Sequence, residues 1–231
     1  MSIEVDSKNT SKSDRMAFVL GYTGETGKAL VKELSRRKVF KKVMLIGRRE
    51  VQFEKDLGPE FEQKVVDFDH LNDYKHEFQD LDTGFSCIGT SKAKSGGKAG
   101  FIKVDHDYVV NAAAMAKSVG CKHFLVVSSY GANKDSSFLY IKTKGEVEED
   151  LKSISFDNLS IFRPGMLLCD RVERRPIEAC IRCCWKPMPR WFVKEGAINT
   201  DNLAAAMVNK ALNPSSEKVE TIENKQIYEL I

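Results

Sequence analysis

Tyr140 and Lys144 stand four residues apart in Tyr140-Ile141-Lys142-Thr143-Lys144. On a helix that spacing puts both side chains on one face. A phenol holds its proton to near pH 10, and an ammonium beside it favours the phenolate and lowers that value. Such a pair can give a proton to a carbonyl oxygen as hydride reaches the carbon, or take it back in reverse. Ser129, eleven residues before Tyr140, supplies a hydroxyl to bond the same oxygen. Lys144 has a second use in holding a ribose. A rival pair, Tyr130 and Lys134, has the same spacing. Gly131 and Asn133 between them suit a loop, where the two side chains need not share a face. The residues after Lys144, Gly145-Glu146-Val147-Glu148-Glu149-Asp150-Leu151, read as an amphipathic helix. Tyr140 is therefore the expected proton donor.

A hydride needs a carrier, and the chain holds a turn suited to a dinucleotide. Gly21-Tyr22-Thr23-Gly24-Glu25-Thr26-Gly27 follows directly on the apolar run Met16–Leu20. Gly21 lets the chain turn tightly. Gly24 has no Cβ to obstruct a pyrophosphate, and Gly27 lets the next helix pack close to the strand. The helix N-terminus adds free N–H groups and a partial positive charge. A second apolar strand, Val43–Ile46, runs into Gly47-Arg48-Arg49. About 20 residues past the glycines, an NAD site carries an acidic residue on the ribose hydroxyls. Two arginines hold that place here. A carboxylate would repel a 2′-phosphate, whereas a guanidinium bonds it bidentately. Arg48 and Arg49 therefore predict NADPH rather than NADH.

These residues need a scaffold that gathers strand ends. Strands are expected at 16–20, 43–46, 64–67, 84–88, 123–127 and 159–162, with helices over about 70–79, 104–118, 138–152 and 200–212. Such alternation predicts an α/β fold, a doubly wound parallel sheet of the Rossmann type. In that fold ligands sit at the carboxyl ends of the strands. Asp67 ends the third strand, where it can accept from an adenine amino group or cap the next helix. Ile88-Gly89-Thr90 ends the fourth, and Gly89 lets the cofactor's middle pass close. Arg163-Pro164-Gly165 makes a sharp exit that sets Leu167 against the nicotinamide.

The 231 residues suit one domain, and 42% hydrophobic content suffices for its core. Residues 1–15 read as a disordered arm and 16–231 as the NADP-binding domain. Residues 169–196, basic and aromatic, read as a substrate lid or a partner surface. A formal charge of +3 is too mild for nucleic acid as a main partner. No run reaches membrane-spanning length, so the chain is expected to be intracellular, in the cytoplasm and not integral to a membrane. The six cysteines do not form a disulfide framework in such a compartment. Cys180, Cys183 and Cys184 could bind metal or cycle redox. They lack a second cysteine pair or a nearby histidine, and plain packing is the expectation, with no metal site.

With these elements in order, the chain resembles the atypical short-chain dehydrogenases, and within them the oxidoreductases called HIV Tat-interactive proteins. The resemblance covers nearly everything after Arg15. It rests on Gly-x-x-Gly-Glu-Thr-Gly at 21–27, Leu-Ile-Gly-Arg-Arg at 45–49 and Val-Val-Asp-Phe at 65–68. Further matches are Cys-Lys-His-Phe at 121–124, Ser-Ser-x-Gly-Ala at 128–132 and Phe-Leu-Tyr at 138–140. Lys-Gly-Glu-Val-Glu at 144–148 and Phe-Arg-Pro-Gly-x-Leu-Leu-Cys-Asp-Arg at 162–171 complete it. It implies bound NADPH, with Tyr140 as proton acceptor. It also implies cofactor contacts from Thr23, Gly24, Glu25, Thr26, Arg48, Arg49, Ile88, Gly89, Tyr140, Lys144, Leu167 and Arg175. Tyr22 departs from the pattern, where a small residue is usual, and Arg174 beside Arg175 leaves the choice between those two open. Two functions follow. One is an NADPH-dependent oxidoreductase acting on a carbonyl or alcohol. The other, implied by the resemblance, is an NADPH-binding regulator tied to apoptosis, transcription and nuclear import through importin, which would place the chain also in the nucleus.

Overall fold

Consecutive residues of the central strands go to opposite layers, because side chains alternate across a sheet and both faces are covered. In β1 (Ser13–Leu20), Ala17 and Val19 join one core while Phe18 and Leu20 join the other. In β2 (Phe40–Gly47), Val43 and Leu45 go one way and Met44 and Ile46 the other. The first layer is α1 (Glu25–Arg37), α5 (Thr200–Leu212) and α6 (Asn224–Glu229). Leu30, Leu34, Leu203, Met207 and Ile227 from these helices are buried in it. The second layer holds a 3₁₀ stretch (Phe68–Phe78), α3 (Tyr108–Ser118) and α4 (Leu139–Ser153). Phe78, Val109, Ala112, Val147 and Leu151 fill that core.

The computed structural model describes residues 13–53, 55–168 and 196–231. Seven parallel strands form one sheet in the order β3-β2-β1-β4-β5-β6-β9. The remaining strands of it are β3 (Phe61–Val65), β4 (Thr83–Ser86), β5 (His123–Val127), β6 (Asn158–Arg163) and β9 (Val219–Glu223). This is the doubly wound Rossmann fold. A separate pair, β7 (Met166–Leu168) and β8 (Ala197–Asn199), runs parallel beside it. Asn224 ties that pair to the sheet. Its carbonyl oxygen accepts from Gly165 N at 2.8 Å, and its amide nitrogen donates to Ala197 O at 3.2 Å.

Several boundaries differ from the sequence reading. β1 begins at Ser13, so residues 13–15 of the expected arm belong to a strand; residues 1–12 lie outside the described set. β3 lies three residues earlier than expected, because its pairing follows β2 from Val43↔Phe61 to Gly47↔Val65. The stretch after it is 3₁₀ rather than α, with non-helical geometry at His70 and Tyr74. Helix begins at Lys98, six residues before the expected start near 104, as α2 (Lys98–Ile102), and passes through a π turn (Lys103–Asp107) into α3.

Candidate functional site

Three strand ends meet at one cavity of about 500 Å³. It lies where the strand order reverses between β1 and β4, the place at which an open parallel sheet parts its loops. Gly21, Tyr22, Thr23 and Gly24 line it after β1. Gly47, Arg48 and Arg49 follow β2, and Cys87, Ile88, Gly89 and Thr90 follow β4. Phe68, Lys94, Val104 and Tyr108 complete the lining.

The glycines divide by what demands them. Gly21 has φ +74°, and a Cβ on it would stand 2.5 Å from the Cys87 carbonyl carbon. A Cβ on Gly27 would stand 2.2 Å from Gly21 O. Packing within the protein therefore requires both. Gly24 is different, since its Cβ would find its nearest atom at 3.5 Å, ordinary contact. Gly89 is similar, with its nearest atom, Asp105 Oδ1, at 3.8 Å. Both face the cavity, so the space beside them suits a ligand's close approach. Gly24 is also the N-cap of α1, without a side-chain cap, which leaves the first-turn amides for an anion. Glu25, Thr26 and Gly27 form that first turn behind the lining residues.

Arg48, Arg49 and Lys94 are the charged residues of the lining, and no carboxylate is among the described lining residues. Phe68 and Tyr108, with ring centroids 5.1 Å apart, give the same cavity an apolar wall. Asp67 does not line it. One carboxylate oxygen accepts from Asp69 N at 2.9 Å, and the other lies 2.9 Å from His70 Nδ1. The hydrogen bonds to His70 and Asp69 hold this carboxyl below its usual range. Of the two roles weighed for Asp67, the structure shows the cap.

The residues expected to transfer a proton sit on α4 and the loop before it. Tyr140 and Lys144 share α4, whereas Tyr130 and Lys134 lie in the loop. Tyr140 is 45% exposed. Its ring packs at a tilt on Phe101, 6.2 Å between centroids. Lys144 is buried, and its Nζ lies 3.1 Å from Asp105 Oδ1, out of line for a hydrogen bond. Asp105 Oδ2 accepts from Thr90 N at 2.7 Å. The pair thus joins α4, the π turn and the loop after β4, beside Gly89. Ser129, partly exposed in the loop after β5, donates from Oγ to Tyr130 O at 3.3 Å. Its neighbour Ser128 is buried and donates to Glu148. Arg163 grips Glu148 with two bonds, Nε to Oε1 at 3.0 Å and Nη2 to Oε2 at 2.6 Å. It also reaches Glu223 at 3.0 Å, and these carboxylates raise its pKa. Two buried charges, Lys144 and Glu148, thereby fix the turn and height of the helix that carries Tyr140.

The structure does not bring every expected residue to the cavity wall. Gly21, Thr23, Gly24, Arg48, Arg49, Ile88 and Gly89 line it. Leu167 instead pairs with Ile198 in the small sheet and packs on the first core. Arg175, residues 169–195 of the lid expected over 169–196, and the Cys180-Cys183-Cys184 cluster lie outside the described residues. Asp105, which pairs with Lys144, Lys94, which lines the cavity, and Glu148, which accepts from Ser128, went unread in the sequence. Asp105 had a signal: it shares a helical phase with Phe101, Tyr108, Val109 and Ala112. A carboxylate in an apolar stripe calls for a buried partner. Cys87 lines the cavity, but burial pushes its thiol up to about 12, which leaves it protonated and unreactive.

A glycine turn, a capless helix end and a cationic wall at the sheet's reversal define a dinucleotide-binding Rossmann protein. The chain belongs to the NAD(P)H-binding family, whose model matches residues 21–214. It is similar to Protein HTATIP2 of Rattus norvegicus, 45% identical over 230 residues, covering 100% of this chain and 93% of that protein. This bears out the resemblance to the atypical dehydrogenases read from the motifs. It is also similar to Protein FMP52, mitochondrial, of Candida glabrata, 30% identical over 233 residues, covering 95% of this chain and 97% of that protein. Among solved structures, a putative epimerase from Burkholderia cenocepacia J2315 has the same fold. Its TM-score is 0.68 at 15% identity, over 94% of this chain and 79% of that one. Among the described residues, no helix is long and apolar enough to cross a membrane.

Proposed function

We propose that the protein is an NADPH-dependent oxidoreductase that interconverts a carbonyl and an alcohol. The observation that carries the choice of NADPH is the cavity wall at the end of β2, where Arg48 and Arg49 stand without a carboxylate among the described lining residues. Two guanidinium groups bond a 2′-phosphate, and a carboxylate there would repel it. The remaining lining fits the rest of the nucleotide. Phe68 and Tyr108 offer adenine an apolar wall, and Gly24 with the amides of α1 takes the pyrophosphate. Gly89 leaves room for the nicotinamide half. When bound, the reduced nicotinamide supplies a hydride. Tyr140 then gives its hydroxyl proton to the carbonyl oxygen, or takes it back in the oxidative direction. Ser129 bonds the same oxygen and orients it. Lys144, steadied by Asp105, would hold the nicotinamide ribose.

Calorimetric titration of NADPH and NADH into the wild type and into Arg48→Ala/Arg49→Ala tests this. NADPH should bind at least about tenfold tighter to the wild type, roughly 1.4 kcal/mol, and the double variant should lose that preference. Equal wild-type affinities would sink the choice of NADPH.

A further inference from the structure

Tyr22 is wholly buried although it follows directly on the glycine that opens the phosphate turn. Its hydroxyl donates to the Arg49 carbonyl at 2.6 Å. Its ring covers Gly47, where a Cβ would stand only 2.7 Å from Tyr22 Cε1. Phe53 stacks on the ring at 6.3 Å, with planes 29° apart. Burial and the charge of Glu50 push the phenol up, against a smaller pull from Arg49, so it stays a donor at neutral pH. The loop after β2 has two other moorings. Gly47 O accepts from Val66 N at 2.9 Å. Gln63 clasps Val51 at both its N–H (3.0 Å) and its carbonyl (2.9 Å). Tyr22 supplies a backbone anchor between them, at Arg49 itself.

We infer that Tyr22 is a specificity-positioning residue, presetting the Arg48-Arg49 loop to receive a 2′-phosphate. This deepens the NADPH reading and rests on it. One rigid side chain ties the turn that faces the pyrophosphate to the loop that faces the second phosphate. Two long arginine arms lose freedom when they close on a phosphate, and a fixed backbone beneath them lowers that cost. NADH carries no 2′-phosphate and draws nothing from the preset loop. The effect of Tyr22 therefore belongs to the difference between the two nucleotides. A residue that merely supports the fold would weaken both alike.

The test is calorimetry of NADPH, NADH and 2′,5′-ADP with the full chain as wild type, Tyr22→Phe and Gly47→Ala. Tyr22→Phe keeps the ring and removes only the bond to Arg49. It should weaken NADPH and 2′,5′-ADP about fivefold and leave NADH unchanged. Gly47→Ala pushes on the ring from the other side and should move the NADPH/NADH ratio in the same direction. An equal loss for both dinucleotides in Tyr22→Phe would assign the tyrosine a purely structural role and overturn the inference. An unchanged ratio in that variant would overturn it too, while a wild-type preference for NADPH keeps the parent reading intact. A wild type with no preference would remove both at once.

Discussion

The phenol of Tyr140 and the ammonium of Lys144 share a helix face but not an environment, since one is 45% exposed and the other 5%. In the proposed reaction the exposed group meets substrate and the buried one holds position. Tyr140→Phe should therefore lower carbonyl-dependent NADPH oxidation by about 10²-fold or more and leave cofactor affinity unchanged. Tyr130→Phe should leave both unchanged, because its ring lies on a loop outside α4. Initial rates and titrations on the two variants check this, and the reverse pattern would mean the other tyrosine is the donor. The Lys144–Asp105 pair makes a separate prediction about stability. Both side chains are almost fully buried, at 6% and 1% exposure. Lys144→Met leaves a carboxylate buried without its partner and should cost about 3 kcal/mol in urea unfolding. Asp105→Asn on that background should recover most of it, and additive single effects would show the pair is uncoupled. Tyr140 and Lys144 were legible because regular helical spacing carries them. Asp105 was written in the same periodicity, but the lysine- and glycine-rich run before it hid the helix start, and nothing local announces a π turn. Asp67 was legible only as two roles, because a strand-end carboxylate before a helix suits a cap and a ligand equally.

Elements place these residues, and the turn from β1 into α1 shows how far a sequence pattern reaches. Three glycines at equal spacing look alike in the chain, yet the structure separates them. Gly27 faces Gly21 O, where a Cβ would stand at 2.2 Å, while Gly24 has ordinary room and faces the cavity. Gly24→Val should keep the fold and abolish the thermal shift that NADPH produces. Gly27→Val should cost about 3 kcal/mol of stability, from backbone forced apart between α1 and the turn after β1. Melting curves with and without NADPH distinguish the two. A normal shift in Gly24→Val would mean that this glycine only shapes the turn. Strands β1, β2, β5 and β6 were legible because burial on both faces writes them as apolar runs. β3 and β9 are the edges of the sheet and carry Glu62, Lys64, Glu220 and Glu223, so no such run marks them. β3 was misplaced and β9 went unread for that one reason. The β7–β8 pair went unread because three-residue strands have no period to detect.

Across the whole molecule, the cavity gathers at the carboxyl ends of the strands, while His123 sits at the opposite end, opening β5. The separation lets stability and site chemistry be titrated apart. His123 is buried, with Nε2 3.0 Å from Ser160 Oγ and Nδ1 without a hydrogen-bond partner. Burial first, and then the charges of Arg15 and Lys210, push this imidazole down to about 4. The unfolded chain has an ordinary histidine near 6.5 and takes up a proton first as pH falls. Stability contributed by the neutral ring is complete above pH 6.5 and is lost as pH falls toward 4. The loss over that window is about 3 kcal/mol and levels off below it. His70 runs the other way, since its hydrogen bond to Asp67 raises it and its contribution appears as pH falls. It is fully open to solvent, which screens the effect. The carboxylates held low by ion pairs, such as Glu62 at about 2, lose their contributions only at lower pH. Urea unfolding of wild type and His123→Gln at pH 7 and pH 5 isolates the buried ring. The glutamine keeps a bond to Ser160 within reach but has no proton to gain. The wild type should lose about 2 kcal/mol more than the variant between those two pH values. Equal losses would mean that water reaches the imidazole and that it titrates near its ordinary value in the folded protein.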